Sequence, residues 1–120
     1  MAEVLNEREL KSIVDSYIDK LKDSITIDKA ILYGSYAKGS ANENSDIDLI
    51  IVSKDLPENR SKGLNGLYLD RIVKDFNLRL AVIGIHPNKL NDEITKSFFN
   101  EILDTGKVFY PKDQTKDIAA

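Results

Sequence analysis

Two aspartates, Asp46 and Asp48, stand one residue apart where an apolar run, Leu49-Ile50-Ile51-Val52, begins. Side chains alternate faces along a strand, so both carboxylates project to the same side. Upstream lies Gly34-Ser35, separated from Asp46 by ten residues and closing another apolar run, Ala30-Ile31-Leu32-Tyr33. Glycine lets an anion approach the backbone closely, and Ser35 offers a hydroxyl and an amide where a short helix starts. Lys38 is within reach of the same anion by sequence. Ser45 adjoins the acids, where its hydroxyl could bond a phosphate or cap the turn. Such a set can hold a divalent cation between carboxylates and phosphate oxygens. That chemistry is phosphoryl or nucleotidyl transfer, in which a protein supplies positioning and charge rather than covalent help.

Each piece alone is ordinary. An Asp-x-Asp at a strand start is commonly turn chemistry, and Gly-Ser after a strand is commonly a plain turn. The joint pattern is far more specific: buried strand, Gly-Ser, ten residues, Asp-x-Asp, second buried strand. Tyr36 offers a ring for a base or ribose, or packs on the sheet. His86, the only histidine, precedes Pro87 at a strand exit and reads as a turn residue.

Elements must bring these residues together. Leu10, Ile13, Val14, Tyr17, Ile18 and Leu21 recur at helical spacing over residues 6–23, and Asn6 with Glu9 forms a capping-box pattern. Strands are expected over 29–33 and 46–53, and a third over 77–85. The second is apolar on both faces and therefore central. Residues 36–40 can hold a turn or two of helix before Gly39 weakens it. A helix over 61–76 would turn Leu64, Leu67, Tyr68, Ile72 and Phe76 inward. Another over 94–103 would stop at Gly106, followed by an extended segment at 107–110. The fold class is α/β (α+β): a small mixed β-sheet with helices packed on it. One domain spans 1–110, and 111–120 is a polar C-terminal tail.

Composition narrows the classes. With no cysteine, disulfides and thiolate zinc sites are excluded. No apolar run approaches the ~18 residues of a membrane span, and the acidic N-terminal segment lacks the plan of a secretory signal, so no membrane role is expected and the cytoplasm is the expected location. The net charge is -3 and the lysines are dispersed, so no basic stripe marks a nucleic-acid partner.

Tyr33-Gly34-Ser35-Tyr36-Ala37-Lys38-Gly39, the gap, and Ser45-Asp46-Ile47-Asp48-Leu49-Ile50-Ile51-Val52 resemble the motif of the minimal nucleotidyltransferases of the DNA polymerase beta superfamily. The resemblance runs from about Lys29 to Tyr110, with residues 98–110 similar to that family's closing helix and strand. It implies the nucleotidyltransferase fold. It implies that Gly34 and Ser35, with Lys38 and Ser45 beside them, hold a nucleoside triphosphate, ATP being the expected donor. It also implies that Asp46 and Asp48 bind Mg²⁺ as the catalytic acids. Many such domains are antitoxins paired with a HEPN-type helical toxin, and some transfer AMP to a tyrosine of that toxin.

One departure stands out. The family usually carries a third metal-binding carboxylate on the next strand, and counting back from His86-Pro87 places it near Ala81. No residue from 76 to 91 is acidic. Arg79, two residues before Ala81, would share its face and could touch a phosphate. Two functions follow: an adenylyltransferase acting on a partner toxin, or a binding module of weak or no activity that neutralises such a toxin by complex formation, in either case as a possible oligomer. Nucleotide addition to nucleic acid or to an antibiotic is a poorer fit, since 120 residues leave little room for a second substrate domain.

Overall fold

The computed structural model describes residues 4–57, 79–91 and 106–110, together with Leu69, Glu93, Lys96, Ser97, Asn100 and Ile102. The tail at 111–120 and nearly all of the helix expected over 61–76 lie outside the described residues.

Helix α1 spans Glu7–Lys22. Its start is fixed by reciprocal bonds: the Glu9 amide donates to Asn6 Oδ1 at 2.8 Å, and the Asn6 amide donates to Glu9 Oε1 at 3.1 Å. Two otherwise orphaned amide donors are thereby satisfied. Leu10, Val14, Tyr17, Ile18 and Leu21 are buried, as the spacing requires, while Ile13 is only partly covered at the edge of the stripe. Each such side chain contributes about 1.5–3 kcal/mol of burial.

The chain then passes through Ile25 and Ile27, both buried, into β1 (Lys29–Tyr33). A one-turn helix α2 (Ser35–Lys38) and a loop lead to β2 (Ile47–Val52). Strand β3 covers Leu80–Ile85, a short 3-10 helix follows at Pro87–Asn91, and β4 covers Lys107–Tyr110. Glu93, Lys96, Ser97, Asn100 and Ile102 are helical, in line with the expected third long helix. The Gly106 amide donates to Ile102 O at 2.6 Å where that helix was expected to stop.

The sheet order is β3-β2-β1-β4. Strands β1 and β2 are antiparallel, β1 and β4 are antiparallel, and β2 and β3 are parallel, so the sheet is mixed. Strand β2 is central and its apolar run is buried on both faces. Ala30, Leu32, Ile47, Leu49 and Ile51 pack with α1 on one face. Ile31, Ile50, Val52 and Ile85 pack with Ile102 on the other. Leu69, outside the stripe expected for its helix, is helical and fully buried in the α1-side core.

Strands β2 and β3 each begin later than the sequence pattern suggests. Asp46 lies one residue before β2 and is exposed; 77–78 lie outside the described residues, and Arg79 forms a turn before β3. Both differences fall at the sheet end that carries the acids. The opposite end is closed by Ser53, which is fully buried. Its hydroxyl donates to the Thr26 carbonyl and accepts from the Asp55 amide at 3.1 Å.

Candidate active site

Register and alternation together build the site. Tyr33 pairs with Asp48 across β1 and β2, and Asp48 pairs with Ala81 across β2 and β3. The next row in from the rim is Ile31, Ile50 and Ile83, which belong to the core away from α1. Two residues along a strand return to the same face, so Tyr33, Asp48 and Ala81 form one row on that face at the sheet's end. Ala81 thus occupies the place beside Asp48 that counting along the sequence assigned to it.

Gly34 closes the site from the other side. It has φ 75° and ψ -154°, a region that essentially only glycine visits. A Cβ placed there would lie 2.2 Å from Asp48 Oδ2. The turn therefore abuts the carboxylate, a proximity that spacing alone did not reveal. Helix α2 is a single turn, so its macrodipole is small, weaker than a helix start suggests from sequence. The Ala37 and Lys38 amides both donate to Gly34 O at 3.1 Å. The amides of Ser35 and Tyr36 precede them and point out of the helix start, as first-turn amides do. Gly39, at φ 76° and ψ 17°, caps α2 in the left-handed conformation.

The sequence-derived candidates divide by position. Gly34, Ser35 and Asp48 sit together, with Asp46 at the rim. Lys38 is exposed in the last turn of α2. Ser45 caps its own loop: its hydroxyl accepts from the Asn42 amide at 2.8 Å, and its amide donates to Asn42 O at 3.0 Å. His86 follows Ile85 at the far end of β3, five residues beyond Ala81, roughly 16 Å along a strand. There its Nδ1 accepts from the Asn88 amide at 3.0 Å, a turn role.

Arg79 differs from expectation. Because it precedes the strand, alternation does not carry it onto the face of Ala81. Its Nη2 donates to Tyr36 Oη at 2.6 Å and to the Ser45 carbonyl at 3.1 Å. Tyr36 is buried in the α1-side core, so the packing role holds for its ring.

Electrostatics mark the same row. Burial raises the Asp48 carboxyl above its usual value, and the neighbouring charge of Asp46 raises it further. Tyr33 is pushed up to about 12, first by burial and then by the charge of Asp48. Tyr33 therefore stays neutral near pH 7 and is no base. Among the described residues neither aspartate forms a salt bridge, and no group of three or more potential metal ligands comes together. The donor set is a pair of carboxylates beside the Gly34 turn. Two adjacent negative charges with all-oxygen donors fit a hard cation such as Mg²⁺, which is commonly held by one or two carboxylates plus substrate phosphates.

Comparison with known proteins identifies the family and the fold. Residues 15–115 match the family described as polymerase beta, nucleotidyltransferase. A chain of Methanocaldococcus jannaschii named as a protein adenylyltransferase is 32% identical over 114 residues, covering 91% of this chain and 77% of that one. The protein adenylyltransferase MntA of Thermococcus cleftensis is 27% identical over 79 residues, covering 59% and 80%. Among solved structures, a chain from Sulfolobus solfataricus described as a nucleotidyltransferase superposes with a TM-score of 0.60 at 14% identity, covering 87% of this chain and 82% of that one. The complex of a tri-AMPylated Shewanella oneidensis HEPN toxin with its MNT antitoxin gives 0.53 at 17% identity, covering 91% and 78%. At these identities the structures speak to the fold, which is the nucleotidyltransferase fold with its mixed sheet. With the Gly34-Ser35 and Asp46-Asp48 motif inside the matched span and set at one end of that sheet, the chain belongs to the polymerase beta nucleotidyltransferase family.

Proposed function

We propose that the chain binds Mg²⁺–ATP across the Gly34-Ser35 turn and the Asp46-Asp48 pair, and transfers AMP to a tyrosine hydroxyl of a HEPN-type partner toxin, acting as its antitoxin. The observation that carries this reading is the closeness of Gly34 to Asp48, where a Cβ would meet Oδ2 at 2.2 Å, which sets the glycine turn directly against a carboxylate. The relatives named as protein adenylyltransferases support the reaction class, and the toxin–antitoxin neighbours support the partner class.

In this reading Asp46 and Asp48 would hold the cation, which would supply positive charge to offset that of the phosphates. The Ser35 and Tyr36 amides and the Ser35 hydroxyl receive triphosphate oxygens. Lys38 adds a positive charge from the exposed side, and Ser45 fixes the loop that presents Asp46. The acceptor oxygen forms a bond to the α-phosphorus, the bond from that phosphorus to the bridging oxygen breaks, and pyrophosphate leaves. The hydroxyl proton departs to solvent or to a carboxylate of the acceptor protein, since β3 presents Ala81 beside Asp48. The test is co-expression with the partner toxin, ATP and Mg²⁺, read by mass spectrometry. One adenylyl increment per modified tyrosine is expected with wild type and none with Asp48→Asn. Equal spectra from the two would sink the proposal.

Ala81 also favours a second reading, in which the chain neutralises its partner by complex formation alone. Asp46→Asn combined with Asp48→Asn separates the two. Retained neutralisation selects the binding module, and its loss with the complex intact selects the enzyme.

A further inference from the structure

Tyr36 and Arg79 are 43 residues apart in the chain and meet beside the phosphate turn. The Arg79 guanidinium donates to Tyr36 Oη and to Ser45 O, and its carbon lies 5.7 Å from the Tyr36 ring centroid. Tyr36 Oη also accepts from the Leu5 amide at 3.2 Å. The Arg79 carbonyl accepts from the Ile47 amide at 2.7 Å, so the arginine is anchored to the start of β2 through its backbone. The Tyr36 hydroxyl thus joins Leu5 and Arg79, and Arg79 in turn joins Ser45 and Ile47.

The positions of the bonded residues give this cluster its meaning. Tyr36 directly follows Ser35, and Ser45 directly precedes Asp46. Helix α2 has only four residues and a positive-φ glycine at each end, so its own backbone fixes its placement weakly. The loop after it is held by short-range bonds among Asn42, Asn44 and Ser45. Both bonds leave one nitrogen, Nη2, whose two hydrogens lie in the fixed plane of the guanidinium.

We propose that Arg79 is a positioning residue: by bonding Tyr36 and Ser45 together, it sets the separation between the Gly34-Ser35 turn and the Asp46-Asp48 pair, and so controls Mg²⁺–nucleotide affinity. This rests on the nucleotide-binding reading above. Arg79 acts through Tyr36, not by touching a phosphate.

A double-mutant cycle in the full chain tests it, using Arg79→Met and Tyr36→Phe. Mg²⁺–ATP affinity is read by calorimetry, and urea unfolding of the ligand-free chain is measured in parallel. Each single variant is expected to weaken binding, Arg79→Met by about 10- to 100-fold, the usual range for residues that orient a site from behind. The double variant is expected to bind no more weakly than Arg79→Met alone, because both changes break one linkage. Losses that multiply would overturn the proposal, showing Arg79 acting independently of Tyr36, as a direct phosphate contact would. Lowered stability with unchanged affinity would also overturn it, leaving a brace for the fold only. If Arg79→Met does not fold, Arg79→Gln replaces it; weakened affinity there supports the positioning role and wild-type affinity overturns it. A wild-type chain that binds no Mg²⁺–ATP overturns the functional reading and the positioning role together, whereas a binding wild type with equally tight variants overturns the positioning role alone.

Discussion

Gly34→Ala is the sharpest probe of the site, because its cost has two parts that can be separated. The first is backbone strain: at φ 75° and ψ -154° a residue with a Cβ is held where it costs about 1–3 kcal/mol. The second is the clash with Asp48. The new methyl would lie 2.2 Å from Oδ2, 3.1 Å from Cγ and 3.3 Å from Cβ of that residue. Asp48 is fixed by β2, so its side chain must rotate away, at about 0.5–1.5 kcal/mol if it leaves a rotamer well. The sum is about 1.5–4.5 kcal/mol. For a chain of this size that lowers Tm by about 6–18 °C, taking ~4 °C per kcal/mol.

Gly39→Ala is the matched control. Its φ is 76°, but a Cβ there meets nothing within 4 Å. It bears only the left-handed backbone cost of about 1–2 kcal/mol and should leave Mg²⁺–ATP affinity unchanged. Thermal unfolding by circular dichroism and calorimetric titration with Mg²⁺–ATP are run on both variants. Gly34→Ala should lose binding outright, because rotation of Asp48 dismantles the carboxylate pair. Combining Gly34→Ala with Asp48→Ala should recover the clash portion of the stability loss and leave the strain. If the two glycine variants match each other in both Tm and affinity, the proximity of Gly34 to Asp48 does not govern the site and the reasoning fails.

Asp48→Asn should modestly stabilise the ligand-free protein at pH 7, the effect being limited because the group is partly exposed and screened. Its folded carboxyl sits above the unfolded value, so the charged form opposes folding at neutral pH and that penalty fades as pH falls through the folded value; the Tm gap between variant and wild type should shrink toward pH 4, and a constant gap would exclude this cause. Ser53→Ala should cost about 1–3 kcal/mol in urea unfolding, since it strips a partner from the Thr26 carbonyl and the Asp55 amide at the far sheet end, while Mg²⁺–ATP affinity stays at the wild-type level. Ala81→Asp adds a carboxylate beside Asp48 and should raise the initial rate of AMP transfer by about 10²-fold as a general base, while lowering Tm by adding like charge; an unchanged rate would show that acceptor activation is not what this row lacks.

Features carried by neighbouring residues were legible in the sequence, and features carried by distant ones were not. The α1 stripe, the Asn6–Glu9 capping box and the central character of β2 are local patterns, and the structure bears them out. The place of Ala81 was also within reach, because parallel pairing of β3 with β2 converts a count along one strand into a position on the next. The late start of β2 was not. Asp46 is followed by an apolar run and looks continuous with it, yet the ladder begins at Ile47, whose amide takes the Arg79 carbonyl. That partner comes from a distant segment, and no local propensity encodes it.

The same distinction explains why Arg79 and Tyr36 were read separately. Tyr36 looked like packing and Arg79 like a strand-face cation; the bond between them spans 43 residues and depends on the turn at Arg79 that takes its side chain out of strand alternation. Yet this joint supplies what the local motif lacks. Gly34 lets the turn approach Asp48, and positive-φ glycines at both ends leave α2 poorly held by its own backbone. A site assembled from glycines needs a restraint from elsewhere in the fold, and the guanidinium of Arg79, rooted beside Ile47, supplies one between the residue after Ser35 and the residue before Asp46. Closeness to the carboxylate and rigidity of the turn are opposing demands on the same few residues, and the chain meets them with a residue drawn from a distant segment.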